Sequence, residues 1–321
     1  MTKTSVALCT YNGEKFLREQ IDSILSQTVS VDEIVVCDDG STDSTIQILD
    51  EYQKKYPNIF KIHQNEKNLR SVKNFEKAIS LCENEIIFLS DQDDVWKENK
   101  VERILFCFEK HPEIDVVSTN GCCLSNNAID CNRISVWDIP DLLDTEKTDY
   151  NYFEIISSIT NIATGATMAV RKDFIVQILP FLSYEDFHHD EWIALNASFR
   201  ESFFFFPEKL LLYRTHAGQQ VGEDFFKLKK ESLLGFTALY RKSEFKNLKF
   251  ILKIIAINYY RKINILNNCN IGLDAKQLLE KAVETDKNNF FKAKAMMKKY
   301  YPIKFLLLNV SDRFTGKRKL K

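Results

Sequence analysis

Along the first 120 residues the apolar positions switch repeatedly between two periods. Ser5-Val6-Ala7-Leu8-Cys9 is a short apolar run, the pattern of a strand covered on both faces. From 14 to 27, Phe16, Leu17, Ile21, Ile24 and Leu25 recur at helical spacing. Residues 33–37 read as a second buried strand. Ser41 or Thr42 then signals a helix N-cap ahead of Ile46, Ile48, Leu49 and Tyr52, and Pro57 ends that segment. The alternation continues with strands at 59–63, 85–89 and 114–118 and helices at 72–82 and 97–110. Strands and helices that alternate over short connections imply parallel βαβ units, wound right-handed, with helices on both faces of one sheet. Residues 120–160 are polar and irregular and read as an excursion over the site. Residues 163–170 return to strand character, a helix follows Arg171, and residues 188–192 open another. Residues 203–206 and 210–213 look like strands, and after about Val221 the chain reads as Lys-rich helices with apolar stripes.

A ligand of such a sheet sits beyond the carboxyl ends of its strands. The residues that follow the predicted strands are Thr10-Tyr11-Asn12, Asp38-Asp39-Gly40-Ser41 and Ser90-Asp91-Gln92-Asp93-Asp94. Polar and acidic groups therefore gather at one edge. Carboxylates as close as Asp91, Asp93 and Asp94 repel one another, and a divalent cation with oxygen ligands removes that repulsion. A nucleoside diphosphate would complete its coordination, and the ion would stabilise the diphosphate as a leaving group. A carboxylate at Asp38 or Asp39 is suited to accept the imide N–H of a pyrimidine, while the other caps a helix.

These segments carry a family resemblance. Val6-Ala7-Leu8-Cys9-Thr10-Tyr11-Asn12-Gly13, Ile34-Val35-Val36-Cys37-Asp38-Asp39-Gly40-Ser41-Thr42-Asp43 and Phe88-Leu89-Ser90-Asp91-Gln92-Asp93-Asp94-Val95-Trp96 resemble, in order, the strand-end motifs of inverting family-2 glycosyltransferases. The third is most similar to that of bacterial rhamnosyltransferases of surface-polysaccharide synthesis. The resemblance runs from about residue 3 to 220. It implies the α/β GT-A fold, a Rossmann-like, mostly parallel sheet with helices on both faces. It also implies hexosyl transfer with Mg²⁺ or Mn²⁺.

Carried over residue by residue, the resemblance puts Thr10 and Asp39 at the base, with Tyr11 and Asn12 beside them. Asp91 falls at the ribose or the metal, and Asp93 is the principal metal ligand. Lys73-Asn74 matches a basic-Asn pair near the donor, whereas Arg70 stands where relatives usually have Gly. In His188-His189-Asp190-Glu191-Trp192, Asp190 aligns with the general base, with Glu191 as its substitute, and Trp192 lies on the acceptor side. His216, in Tyr213-Arg214-Thr215-His216, matches a ligand of the metal or the diphosphate. Gly165 would let an acceptor sugar approach the backbone, and Trp96 would either stack on a sugar or anchor the core.

The implied reaction is inverting transfer to a hydroxyl of a growing surface glycan, such as a capsule or O-antigen. The donor would be dTDP-rhamnose, with a UDP-hexose such as UDP-galactose or UDP-glucose as the alternative. A nucleotidyltransferase is disfavoured, because Thr10-Tyr11-Asn12-Gly13-Glu14 replaces the Gly-rich basic loop such enzymes carry after the first strand. A non-catalytic sugar-binding relative would have lost the acidic cluster or the base.

Charge adds a second region. From Phe225 onward the chain has 23 Lys or Arg against 7 Asp or Glu, and the rest has 21 against 38. The expected domains are a catalytic one at 1–222, with a nucleotide-sugar half to 118 and an acceptor half from 119, and a basic helical region at 223–321. The amphipathic stretches at 245–260 and 290–301 would rest on an anionic membrane near lipid-linked acceptors, or pack on the catalytic domain or a second subunit as a homodimer. No nucleic-acid motif accompanies the charge. No apolar run reaches the ~18 residues of a membrane span. No Cys pair has C-x-x-C spacing, and adjacent Cys122 and Cys123 read as loop or strand residues rather than ligands. Together these readings point to a cytoplasmic enzyme, peripheral at the inner membrane face.

Overall fold

The uninterrupted apolar runs become central strands because only a strand covered by helices on both sides can bury every one of its side chains. The computed structural model describes residues 2–184, 187–217, 219, 225–315 and 320. In it β1 (Thr4–Thr10), β2 (Glu33–Asp38) and β4 (Ile86–Ser90) are buried along their whole length. Helix α1 (Leu17–Leu25) follows β1, and α2 (Thr45–Lys55) and β3 (Phe60–Gln64) follow β2. Then come α3 (Arg70–Leu81), β4, the two-residue β5 (Val95–Trp96), α4 (Lys100–Lys110), β6 (Val116–Ser125) and β7 (Ala128–Asp130). Short helices α5 (Ile139–Thr145) and α6 (Tyr152–Glu154) and a π-helical turn, Ile155–Ile159, lead to β8 (Met168–Arg171) and α7 (Lys172–Gln177). The chain continues through α8 (His189–Phe199), β9 (Phe203–Arg214), α9 (Lys230–Phe236), α10 (Phe245–Asn268), α11 (Leu273–Tyr300) and α12 (Pro302–Thr315).

The strands order as β3-β2-β1-β4-β8-β6-β9-β5, with β7 on β6. Pairs among β1, β2, β3 and β4 are parallel, as is β6 with β9, whereas β8, β5 and β7 pair antiparallel. The sheet is thus mixed and mostly parallel. The two strands expected at 203–206 and 210–213 are one strand, β9, and the break in pattern between them matches a register shift against Thr119, Asn120 and Gly121 of β6.

Two compact units result: residues 1–133 with 163–226, and residues 134–162 with 227–321. The expected boundary at 222/223 lies outside the described residues. Segment 134–162, expected as an excursion over the site, belongs to the second unit. The reason is hydrogen bonding to the long helices: Asn258 Nδ2 donates to the Ser158 carbonyl at 3.0 Å and Lys262 Nζ to that of Ser157 at 2.6 Å. Lys262 also pairs with Asp286 at 2.8 Å, both fully buried.

The stretches at 245–260 and 290–301 bury many of their apolar residues and leave Phe250, Ile257 and Phe291 exposed. Leu248, Ile251, Leu252 and Ile255 of α10 and Phe290, Ala293 and Met297 of α11 are buried in this unit. Among the described residues no helix is long and apolar enough to cross a membrane.

The thiol reading also changes. Cys122 is disulfide-bonded to Cys131. The β6–β7 register sets Cys123 opposite Asp130, so Cys122 faces Cys131 across the hairpin. A nine-residue spacing closed by a turn gives no signal in sequence.

Candidate active site

Parallel pairing sets the ends of β1, β2 and β4 side by side, with Thr10 opposite Asp38 and Leu8 opposite Ser90. The loops beyond them are tied by their own polar side chains. Asn12, at φ 49°, accepts the Thr42 N–H on Oδ1 at 2.8 Å and donates its own N–H to Ser41 Oγ at 2.8 Å. Ser41 and Thr42 therefore lock the loop, and neither caps α2. Gln92 accepts the Tyr11 N–H at 2.8 Å and donates back to the Tyr11 carbonyl at 3.0 Å. A Cβ on Gly13 would lie 2.2 Å from Gln92 Oε1, so only glycine allows this clamp. Tyr11 itself is half exposed at the edge.

The two adjacent carboxylates of β2 divide their tasks. Asp38 is buried and accepts the Thr10 hydroxyl at 2.8 Å, the Ser41 hydroxyl at 2.5 Å and the N–H groups of Gly40 and Ser41. It holds the turn, and the Thr10 hydroxyl ties the end of β1 to it. Asp39 accepts Asn65 Nδ2 at 2.9 Å and the N–H groups of Leu69 and Arg70 at 2.7 and 2.9 Å. Arg70 sits at φ 65°. A left-handed residue there aims its N–H at Asp39, which is why glycine suits this position.

Asn74 is buried and accepts from Asn65 at 2.8 Å while donating to the Cys37 carbonyl at 2.9 Å. Lys73 pairs with Glu76 at 2.8 Å. Asn74 positions Asn65, which positions Asp39. Asn65 had no signal in sequence.

The acidic loop after β4 is gripped by the end of β9. The Arg214 N–H donates to Asp94 Oδ1 at 2.9 Å, its Nε to the Asp93 carbonyl at 2.6 Å and its Nη2 to Glu19 at 2.5 Å. The guanidinium also lies 4.6 Å over the Phe16 ring. Two residues on, His216 Nε2 lies 2.8 Å from Asp93 Oδ2. Asp93 and His216 are thus in direct contact. Among the described residues no group of three or more His, Cys, Asp or Glu is assembled around a cation position. The available donors, carboxylate oxygens and one imidazole, suit Mg²⁺ or Mn²⁺ with the remaining ligands drawn from elsewhere.

The buried carboxyls of this loop are strongly perturbed. Burial, then the charges of Asp93 and Asp190, push the Asp91 carboxyl up to about 7. Burial, then Asp93 and Asp91, hold Asp94 well above the usual range, and its Oδ2 has no hydrogen-bond partner. Lys100, fully buried, is the compensating cation. Its Nζ donates to the Ala166 carbonyl at 2.6 Å and lies 4.2 Å over the Trp96 ring. Burial lowers it to about 7 against the pull of Asp94 and Asp91. A lysine at a helix start reads as solvated, so sequence reasoning missed it. Trp96 is 3% exposed, with this ammonium over its ring, and it presents no face to a sugar. Trp192 is equally buried and donates Nε1 to the Ile178 carbonyl at 3.0 Å. Both tryptophans are core residues, because their apolar area outweighs the use of one edge.

Asp190 lies in the first turn of α8, half exposed, and accepts the Gly165 N–H at 3.1 Å and the Glu191 N–H at 2.6 Å. Its charge reaches Asp91 and helps to raise that carboxyl. Glu191 is buried and less able to meet a substrate. Beneath them His189 stacks on Phe75 at 4.0 Å, and burial lowers its imidazole to about 4. A Cβ on Gly165 would lie 2.7 Å from His189 Nε2. Gly165→Ala is therefore expected to displace the start of α8. It should cost about 1–3 kcal/mol in urea unfolding and reduce turnover by more than the stability loss alone explains.

Comparison with known proteins places the chain in a family and a fold. The family model described as "Glycosyl transferase family 2" matches residues 5–168. The dTDP-rhamnosyl transferase RfbG of Shigella flexneri is 27% identical over 238 residues, 70% of this chain and 78% of that protein. Further curated relatives match over 114–119 residues, and there the match spans less than half of their length. Among solved structures, S. aureus TarS 1–349 with UDP-GlcNAc gives a TM-score of 0.54 at 17% identity, covering 92% of this chain and 91% of that one. The mannosyltransferase PcManGT from Pyrobaculum calidifontis, in complex with GDP-Man and Mn²⁺, gives 0.52 at 14% identity, covering 98% and 80%. The fold is that of GT-A glycosyltransferases.

Proposed function

Because the chain belongs to glycosyl transferase family 2, and is a glycosyltransferase, we propose that it inverts the anomeric centre of L-rhamnose as it moves the sugar from dTDP-rhamnose to a hydroxyl of a growing surface glycan. What supports this reading is the acidic loop beyond the carboxyl end of β4, with Asp93 against His216 at 2.8 Å and Asp190 close enough for its charge to raise the Asp91 carboxyl. The rhamnosyl choice leans on the Shigella flexneri relative.

In this mechanism Asp39, already fixed by Asn65 and two backbone N–H groups, takes the thymine imide on its remaining lone pairs. Asp190 removes the proton from the acceptor hydroxyl. The acceptor oxygen forms its bond to the anomeric carbon from the face opposite the diphosphate, and the C–O bond to dTDP breaks with its electron pair. Gly165 and Glu191 hold Asp190 in place through their N–H groups. Asp93 and His216 would hold Mg²⁺ or Mn²⁺, which when bound supplies positive charge to the leaving diphosphate. The reading also sets the reaction in the cytoplasm; the Cys122–Cys131 bridge is a feature that runs against a reducing compartment.

The test is donor engagement by the purified protein across dTDP-rhamnose, UDP-glucose, UDP-galactose, UDP-N-acetylglucosamine and GDP-mannose, with and without Mn²⁺. Selective, Mn²⁺-dependent binding and slow hydrolysis of dTDP-rhamnose is the expected result. Selection of a UDP-hexose would replace the sugar and keep the mechanism. No engagement of any donor, even with membrane-extracted lipid acceptors present, would overturn the catalytic reading.

A further inference from the structure

Helix α12 buries one face within its own unit, through Leu308 and Asp312. Its other face is apolar and uncovered. Ile303, Leu306, Leu307 and Val310 are 76%, 64%, 65% and 47% exposed. Their spacing is i, i+3, i+4 and i+7, which at 3.6 residues per turn confines them to an arc of about 100°. Single exposed apolar residues are ordinary on protein surfaces, but a continuous stripe of four marks a contact.

The charge around the stripe indicates what covers it. Residues 298–321 contain Lys298, Lys299, Lys304, Arg313, Lys317, Arg318, Lys319 and Lys321 against one acidic residue, Asp312, and that one is buried. A second copy docked on the same stripe would bring two such cationic segments together, an arrangement that costs free energy. A nucleic acid would use the cations and leave the leucines in water. An anionic bilayer uses both, since acyl chains accept the stripe and phosphate headgroups accept the cations. Tyr300, 40% exposed at the α11–α12 corner, adds an aromatic at the depth where such rings settle. The helix has 14 residues, too few to span a bilayer, so it would lie in the interface plane.

We propose that α12 is a membrane-interface helix whose Ile303–Leu306–Leu307–Val310 stripe inserts among the acyl chains of an anionic bilayer, with the Lys and Arg of residues 298–321 drawn to the lipid phosphates. This assignment moves the membrane contact off α10 and α11, many of whose apolar residues are buried. It stands apart from the donor and acceptor reading, since no residue of the catalytic pocket enters it.

The experiment is co-sedimentation of the full chain with vesicles of phosphatidylcholine containing about a third phosphatidylglycerol, against phosphatidylcholine alone. The wild type should sediment with the anionic vesicles at low salt and progressively less as salt rises. It should not sediment with the neutral ones. The double variant Leu306→Ser/Leu307→Ser should lower the apparent partition coefficient at least about tenfold. Ile303→Ser/Val310→Ser provides a second pair on the same stripe, and both should melt like the wild type because the altered side chains are exposed. A wild type that stays in the supernatant overturns the proposal. So does equal binding by the wild type and both variants, which would mean charge alone. A lipid-free dimer that the double variants convert to monomer would assign the stripe to a second copy instead.

Discussion

Asp190→Asn is expected to lower kcat by about 10²–10⁴-fold, the usual contribution of a positioned general base, with donor affinity and melting temperature close to wild type. The substitution keeps size and shape. Asp190 accepts two backbone N–H groups, from Gly165 at 3.1 Å and Glu191 at 2.6 Å. The amide oxygen of Asn can keep one of them, so the structural loss is one modest hydrogen bond of about 1 kcal/mol. The chemical loss is larger, because a neutral amide cannot take the acceptor proton. Single-turnover rates with saturating donor, read beside donor binding by calorimetry, separate the two. If turnover survives at wild-type level, Asp190 only caps α8 and the base lies elsewhere. The companion variant Glu191→Gln then decides whether the neighbouring carboxylate does the work. The structure favours Asp190, because Glu191 is buried while Asp190 is half exposed beside Asp91.

Much of this site was legible because a buried parallel strand announces itself as an apolar run and its ligands follow in the next few residues. Asp39, Asp91, Asp93, Asp190 and Gly165 were singled out that way or through the motif resemblance, and Arg70 was flagged by its departure from glycine. What the sequence hid were groups whose roles depend on burial. Lys100 looks like any helix-start lysine until the fold places it under an acidic loop. Trp96 looks like a sugar platform until Lys100 sits over its ring. Asn65 and Asn74 look like loop and helix polar residues, yet they form a buried relay to Asp39. The same limit explains segment 134–162. Its short helices and π-helical turn carry no signal for their partners, which lie about 100 residues away in α10 and α11. Periodicity tells which face of an element is apolar. It does not tell what will cover that face, and α12 shows the converse case, in which none of the described residues covers it.

The remaining large effect belongs to Asp93. Asp93→Asn is expected to reduce kcat/KM on the order of 10³-fold, or about 4 kcal/mol of transition-state stabilisation, and to abolish Mn²⁺-dependent donor binding. His216→Ala should lose less, about 10–100-fold, because a neutral imidazole contributes less charge than a carboxylate. Stability should move in the opposite direction. The Asp93 charge is, after burial, the largest cause raising Asp91 and Asp94 above their usual range. A carboxylate whose folded pKa lies above its unfolded value destabilises the fold as pH rises through and beyond the unfolded value, where the unfolded chain loses its proton first. Removing Asp93's charge lowers both neighbours toward ordinary values. The metal-free variant should therefore melt at or above the wild-type temperature at neutral pH, with the difference shrinking as pH falls and the carboxyls protonate. This is the pattern of a residue kept for function at the expense of stability. A purely structural Asp93 makes the contrary forecast: loss of its 2.8 Å contact with His216 would lower the melting temperature while leaving Mn²⁺-dependent turnover intact. Melting curves at two pH values and Mn²⁺ titrations of donor binding on the same variant discriminate between the two accounts.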